Sequence, residues 1–156
     1  MKKLVLGSIS ALLIATSLQA VAQPDPEEQI IFRQAGYSFM SWNMGKIKAM
    51  AIDGTMAWDP AQVQAAANSI AATANSGMGA LYTPGTEKNI GNTKTNARAE
   101  MFTDMEGVGK VAIAFNKAAN ELAEAAKSGD KAAITKAFAA TGDSCKACHD
   151  KYREKM

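Results

Sequence analysis

From residue 25 onward, apolar side chains recur every three or four residues, while Pro and Gly gather in a few short stretches. That spacing is the signature of amphipathic helices. The first opens at Asp25-Pro26 with Glu27 and Glu28 in its first turn. Its stripe is Ile30, Arg33, Tyr37, Met40, Met44, Ile47 and Ala51, and it stops near Asp53-Gly54. The second starts at Asp59-Pro60, an N-cap followed by a proline whose missing N–H costs nothing there, and carries Val63, Ala67, Ile70 and Ala74 toward Gly77 and Gly79. A loop rich in Gly, Thr and Asn fills 79–95. The third helix is expected from near Glu100 to Lys127, with Phe102, Met105, Gly109, Ala112, Phe115, Ala119, Leu122 and Ala126 in sustained spacing, ending at Ser128-Gly129. The fourth follows Asp130, its stripe formed by Ile134, Phe138, Thr141, Cys145, Cys148 and Tyr152. Gly142, inside it, costs about 1 kcal/mol against Ala, which packing must offset. No stretch has the period of a strand. Four such helices with mostly short connections predict an all-α chain folded as an antiparallel four-helix bundle.

Ahead of the first helix, Lys2-Lys3 introduce an apolar run over 4–18, and Ala20-Val21-Ala22 reads as a small-residue cleavage site. This is the layout of a secretory signal peptide. The expected division is therefore a leader over 1–22 and one domain over 23–156. The run is broken by Gly7, Ser8, Ser10, Thr16 and Ser17 and is short for a membrane span. The formal charge of +2 vanishes with Lys2 and Lys3, leaving basic and acidic residues balanced. Without a basic block there is no electrostatic case for nucleic acid or an anionic membrane as partner.

One pentapeptide carries chemistry. Cys145-Lys146-Ala147-Cys148-His149 is the Cys-X-X-Cys-His attachment signature of a covalent c-type haem. On a helix, positions i, i+3 and i+4 share a face, so both thiols can meet the haem vinyls while the imidazole of His149 points at the iron. A disulfide or a thioredoxin-type pair leaves the adjacent His without a role, and no βαβ pattern surrounds the motif. A zinc site lacks the further Cys or His that would complete it. Because the motif lies on the fourth helix's apolar stripe, the haem face is also the core face, and the bundle is expected to hold the cofactor inside. Export agrees with this, since such haem is attached outside the cytoplasm. The chain has one His, which the motif uses, so any sixth iron ligand from the same subunit is Met, Lys or Tyr, with water or an open position the other cases.

Two further segments, Arg33-Gln34-Ala35-Gly36-Tyr37 and Cys145 through Arg153, together with Pro84-Gly85-Thr86-Glu87, make the chain similar to the cytochrome c′ family, the high-spin class II cytochromes of bacterial periplasms. The resemblance implies a periplasmic homodimer with one covalently attached haem per chain, a five-coordinate iron and binding of NO and CO. It implies thioethers at Cys145 and Cys148, iron ligation by His149, and a basic group beside that ligand at Arg153. Arg33 and Gln34 match a pair near the haem propionates, Tyr37 matches the distal residue, and Thr86 and Glu87 match a loop at the haem edge.

Each has a plainer reading: Arg33 and Arg153 as solvated charges, Tyr37 as a core tyrosine, Met40 and Met44 as gap-filling core methionines. Two functions follow from the iron's ligands. An open iron takes diatomic gases and can pass electrons, whereas Met40 or Met44 on the iron would make a low-spin periplasmic electron carrier. An enzyme such as a peroxidase is disfavoured, because no second His is present to move protons near neutral pH. Redox partners are not readable. Finally, at about 100° per residue, Phe32, Ala35, Phe39 and Trp42 cluster on the first helix opposite Tyr37. An apolar strip there calls for a second copy of the chain, or for loop residues around Leu81-Tyr82 to cover it.

Overall fold

A computed structural model describes residues 23–155; the expected leader over 1–22 lies outside the described residues. Each of the four helices begins where an aspartate can satisfy free backbone N–H groups. Asp25 accepts from Glu28 N–H (2.9 Å) at the head of α1 (Pro26–Ile47). Asp59 accepts from Ala61 and Gln62 to start α2 (Pro60–Ala74). Asp104 accepts from Gly107 to start α3 (Met105–Ser128), and Asp130 from Ala132 to start α4 (Lys131–Tyr152). Gly129, at φ +69°, takes the left-handed turn that lets α3 reverse into α4. Among the described residues no segment forms a strand, and no helix is long and apolar enough to cross a membrane.

The first helical run stops where the sequence reading put it but changes type on the way, and the start of the third helix differs. The first helix ends at Ile47 and continues as one π-helical turn, Lys48–Ile52, in which Asp53 N–H donates to Lys48 O at 2.9 Å. The third helix does not begin at Glu100. Residues Ala99–Phe102 form a separate 3-10 turn, and α3 starts at Met105 because the Asp104 side chain takes the Gly107 N–H in the capping position.

Side-chain hydrogen bonds fix the directions. Gln64 on α2 reaches Ala123 O of α3 (3.2 Å) while Asn75 meets Asn120 (2.8 Å), so higher numbers on α2 meet lower numbers on α3. Thr141 donates to Ala118 O (3.2 Å) and the Tyr152 hydroxyl to Asp104 (2.7 Å), the same relation between α3 and α4. Consecutive helices pack as an antiparallel four-helix bundle. At one end Ile47, Met50, Val63, Ala67, Leu122, Ala126 and Ile134 form a closed core around the alanines of α2 and α3. Each fully buried Ile or Leu there contributes about 2 kcal/mol. At the other end α1 and α4 separate. The fourth helix touches the π turn after α1, but α1 itself stands off from α4, and the gap is a cavity.

Candidate cofactor site

The cavity has a volume of about 1240 Å³. One wall is the haem motif: Cys145, Cys148 and His149 fall at the i, i+3 and i+4 positions of α4 and all border the space. The opposite wall is α1, through Arg33, Gln34, Tyr37, Met40 and Met44, and apolar side chains of α3 (Val108, Val111, Phe115) with Met78 and Met101 fill in between. Cys145 and Cys148 carry free thiols, and loss of hydration pushes both pKa values up. Thiol–disulfide chemistry needs a depressed thiol, so a redox pair fits this environment poorly. At His149, loss of hydration and then the nearby Arg153 guanidinium pull the imidazole pKa down, favouring the neutral form that ligates iron.

Arg153 reaches the cavity because the chain leaving α4 is tied down. Arg98 N–H donates to Tyr152 O (2.9 Å) and Glu154 N–H to Asn96 O (2.8 Å), a short bridge that brings 96–98 alongside the end of the helix. Asp104 locks the same corner. Its carboxylate accepts from the Tyr152 hydroxyl and from Lys151 Nζ (2.6 Å), besides capping α3. Gly107 leaves room for them, since a Cβ there would lie 2.3 Å from the Tyr152 hydroxyl and would have to displace the brace. This brace is invisible to sequence periodicity, and its one trace is the aspartate ahead of α3.

Arg33 is 2% exposed, and among the described residues no carboxylate pairs with it. Its guanidinium donates to Leu81 O (3.1 Å), Thr86 Oγ1 (2.7 Å), Thr86 O (2.5 Å) and Thr95 Oγ1 (2.8 Å), and lies 4.5 Å from the centre of the Tyr82 ring. Burial lowers its pKa, with the surrounding phenols and Glu87 opposing that shift. A buried cation held only by neutral oxygens is well placed to receive an anionic group from the cavity. The reading of Arg33 as a solvated charge is thus excluded. Gln34 borders the same cavity and donates to Lys94 O at 2.6 Å.

The structure separates Thr86 and Glu87 from this group. Thr86 is fully buried beneath Arg33 and does not border the cavity, so its visible role is to position the guanidinium. Glu87 also stands off the cavity wall. Its carboxylate accepts from Gly85 N–H (2.7 Å), and such backbone donation holds its pKa down. Tyr37 does line the cavity, across from α4. Burial raises its pKa and the Cys148 and Cys145 thiols add to that, so the phenol is protonated at neutral pH. Met101 and Val108 are cavity residues that the sequence reading passed over, and Tyr82, offered there as a cover for the outer strip of the first helix, lines the cavity instead.

The site fits a c-type haem: a four-helix bundle opened at one end sets two thiols and the chain's one imidazole on a helix that faces a cavity and a buried arginine. The sequence profile of the cytochrome c′ family matches residues 28–153, and the chain belongs to that family, whose cofactor is a c-type haem. It is 55% identical over 156 residues to cytochrome c′ of Allochromatium vinosum, covering 98% of this chain and 99% of that protein. The crystal structure of cytochrome c′ from Thermochromatium tepidum superposes with a TM-score of 0.81 at 56% identity, over 86% of this chain and all of that one. A cytochrome c′ described as having ligand-controlled dimer dissociation gives 0.82 at 57% identity, over 86% and 100% of the two chains. More distant structures from Alcaligenes xylosoxidans include a nitric oxide complex of a variant (TM-score 0.72, 31% identity, 83% and 97% coverage). A carbon monoxide-bound variant from the same organism gives 0.74 at 30% identity, over 86% and 100%.

Proposed function

We propose that this protein is a periplasmic, five-coordinate, high-spin cytochrome that binds NO and CO, can pass electrons, and is not an enzyme. The observation that carries the reading is the pairing of walls: the chain's one His on α4, and across the cavity a protonated, poorly ligating phenol at Tyr37. Cys145 and Cys148 hold one haem per chain through thioethers, and His149 ligates its iron. Haem that extracts into acidified organic solvent contradicts the thioether assignment. The haem would supply an iron able to take a diatomic gas; Arg33 and Gln34 would hold its propionates, Arg153 would stand beside His149, and Tyr37 would crowd the side where the gas binds. The nitric oxide and carbon monoxide complexes of relatives support gas binding.

Met40 and Met44 also border the cavity, which keeps the Met-ligated electron carrier as a second reading. Against it, Met40 is 5% exposed and packs with Ile47 and Ile70 in the core, as a gap-filling side chain does. The test is Tyr37→Ala. Removing the phenol raises CO affinity by about tenfold or more if Tyr37 screens an open iron, and NO affinity by less. CO binding unchanged by the substitution contradicts the reading.

The chain pairs with a second copy through α1. Phe32, Phe39 and Trp42 are each about half exposed or more on one strip, Phe39 and Trp42 stack at 5.7 Å, and the loop does not cover them. The Leu81 carbonyl and the Tyr82 ring meet Arg33 instead. Sedimentation should give a dimer at micromolar concentration that Phe39→Asp splits; a monomer unaffected by the substitution contradicts this.

A further inference from the structure

Tyr37 stands on an exposed turn of α1, where a phenol rotates freely unless a neighbour holds it. The neighbour is Tyr82. Its hydroxyl donates to the Tyr37 hydroxyl at 3.4 Å, and both side chains border the cavity. The Tyr82 ring is itself fixed: the Arg33 guanidinium lies over it at 4.5 Å, and the Phe102 ring packs 6.0 Å away, tilted by 54°. Arg33 cannot yield, because four oxygens from Leu81, Thr86 and Thr95 hold it. The loop therefore presents a rigid ring with one rotatable donor, and that donor is aimed at Tyr37.

We propose that Tyr82 is a positioning residue for ligand discrimination: its hydroxyl tethers the Tyr37 phenol inside the cavity, so a diatomic ligand that needs Tyr37's space must first break this contact. The inference rests on the gas-binding reading above. Burial raises the pKa of both phenols, so both stay protonated and the tether persists through the neutral range. At 3.4 Å the bond is long for one hydroxyl to another, so it acts as a latch that a ligand can open.

The test uses the haem-loaded full chain and carbon monoxide as probe. Tyr82→Phe keeps the ring, the Arg33 contact and the Phe102 packing while deleting the donor. It should raise CO affinity about twofold to fivefold, chiefly through a faster association rate, in keeping with a single weak neutral hydrogen bond. Tyr37→Phe should do the same. Because both remove one contact, the double variant should bind CO no more tightly than either single variant. Ultraviolet resonance Raman spectra, which read phenol hydrogen bonding without any gas, should show Tyr37 altered in Tyr82→Phe. CO binding that Tyr82→Phe leaves unchanged, or single effects that add in full in the double variant, overturns the tether and leaves the gas-binding reading standing. Failure of the unsubstituted protein to bind CO at all overturns both.

Discussion

The two ends of this bundle are built from the same helices and differ in what their side chains meet. At the closed end Ile47, Val63, Leu122 and Ile134 are at most 1% exposed, and small alanines on α2 and α3 let the backbones approach. At the open end, equally apolar residues on α3 (Val108, Val111, Phe115) border space, because α1 and α4 have drawn apart around them. Amphipathic periodicity is thus satisfied twice, once by protein and once by a cavity. The difference teaches that a helix stripe specifies burial without specifying the partner, and the partner we propose for the open end is the haem.

That contrast can be broken by substitution. Leu122→Ala at the closed end should cost about 3 kcal/mol in denaturant unfolding, since it leaves a void in packed surroundings. It should leave the visible spectrum of the haem-loaded protein untouched. Val108→Ala at the open end should cost about 1 kcal/mol, yet shift the haem spectrum or CO affinity measurably. Equal stability losses with no spectral change at either site would mean the two ends are not distinct.

A smaller effect sharpens the corner where α3 begins and α4 ends. Lys151 and Tyr152, with the Gly107 N–H, hold the Asp104 carboxylate well below the usual carboxylate range. A carboxyl depressed in the native state contributes stability that is full above its unfolded value near 4 and is lost as pH falls below it. Melting temperature should therefore drop on acidification below about pH 4, and Asp104→Asn should flatten that limb while lowering stability modestly near neutrality. An acid limb identical in the variant would contradict the brace.

How much of this was legible depended on whether the signal was local. The four helices announced themselves by their three-to-four spacing, three of them also by an opening aspartate (Asp25, Asp59 and Asp130), and Gly129 marked the turn into α4. The haem motif was legible because attachment chemistry needs contiguous residues. Arg33 and Tyr37 were found by resemblance, since their meaning comes from contacts with residues some 50 positions away. Thr86 and Glu87 were placed at the haem edge by the same route, and the structure puts neither on the cavity wall. Their loop folds back on Arg33, a choice made by an arginine's need for buried oxygens and carried by no periodic pattern. The cavity role of Tyr82 and the Asp104 brace were missed for the same reason: each joins segments distant in sequence, and loop chemistry leaves little trace in spacing.

The central claim is that the open end holds an iron with one protein ligand, His149, and one vacant side. The electronic absorption spectrum of the purified ferric protein at neutral pH, followed by reduction and addition of CO, reads this directly. The account predicts a high-spin ferric spectrum and a clear CO adduct after reduction. A low-spin spectrum with a methionine–iron charge-transfer band, unresponsive to CO, would contradict it and place Met40 or Met44 on the iron.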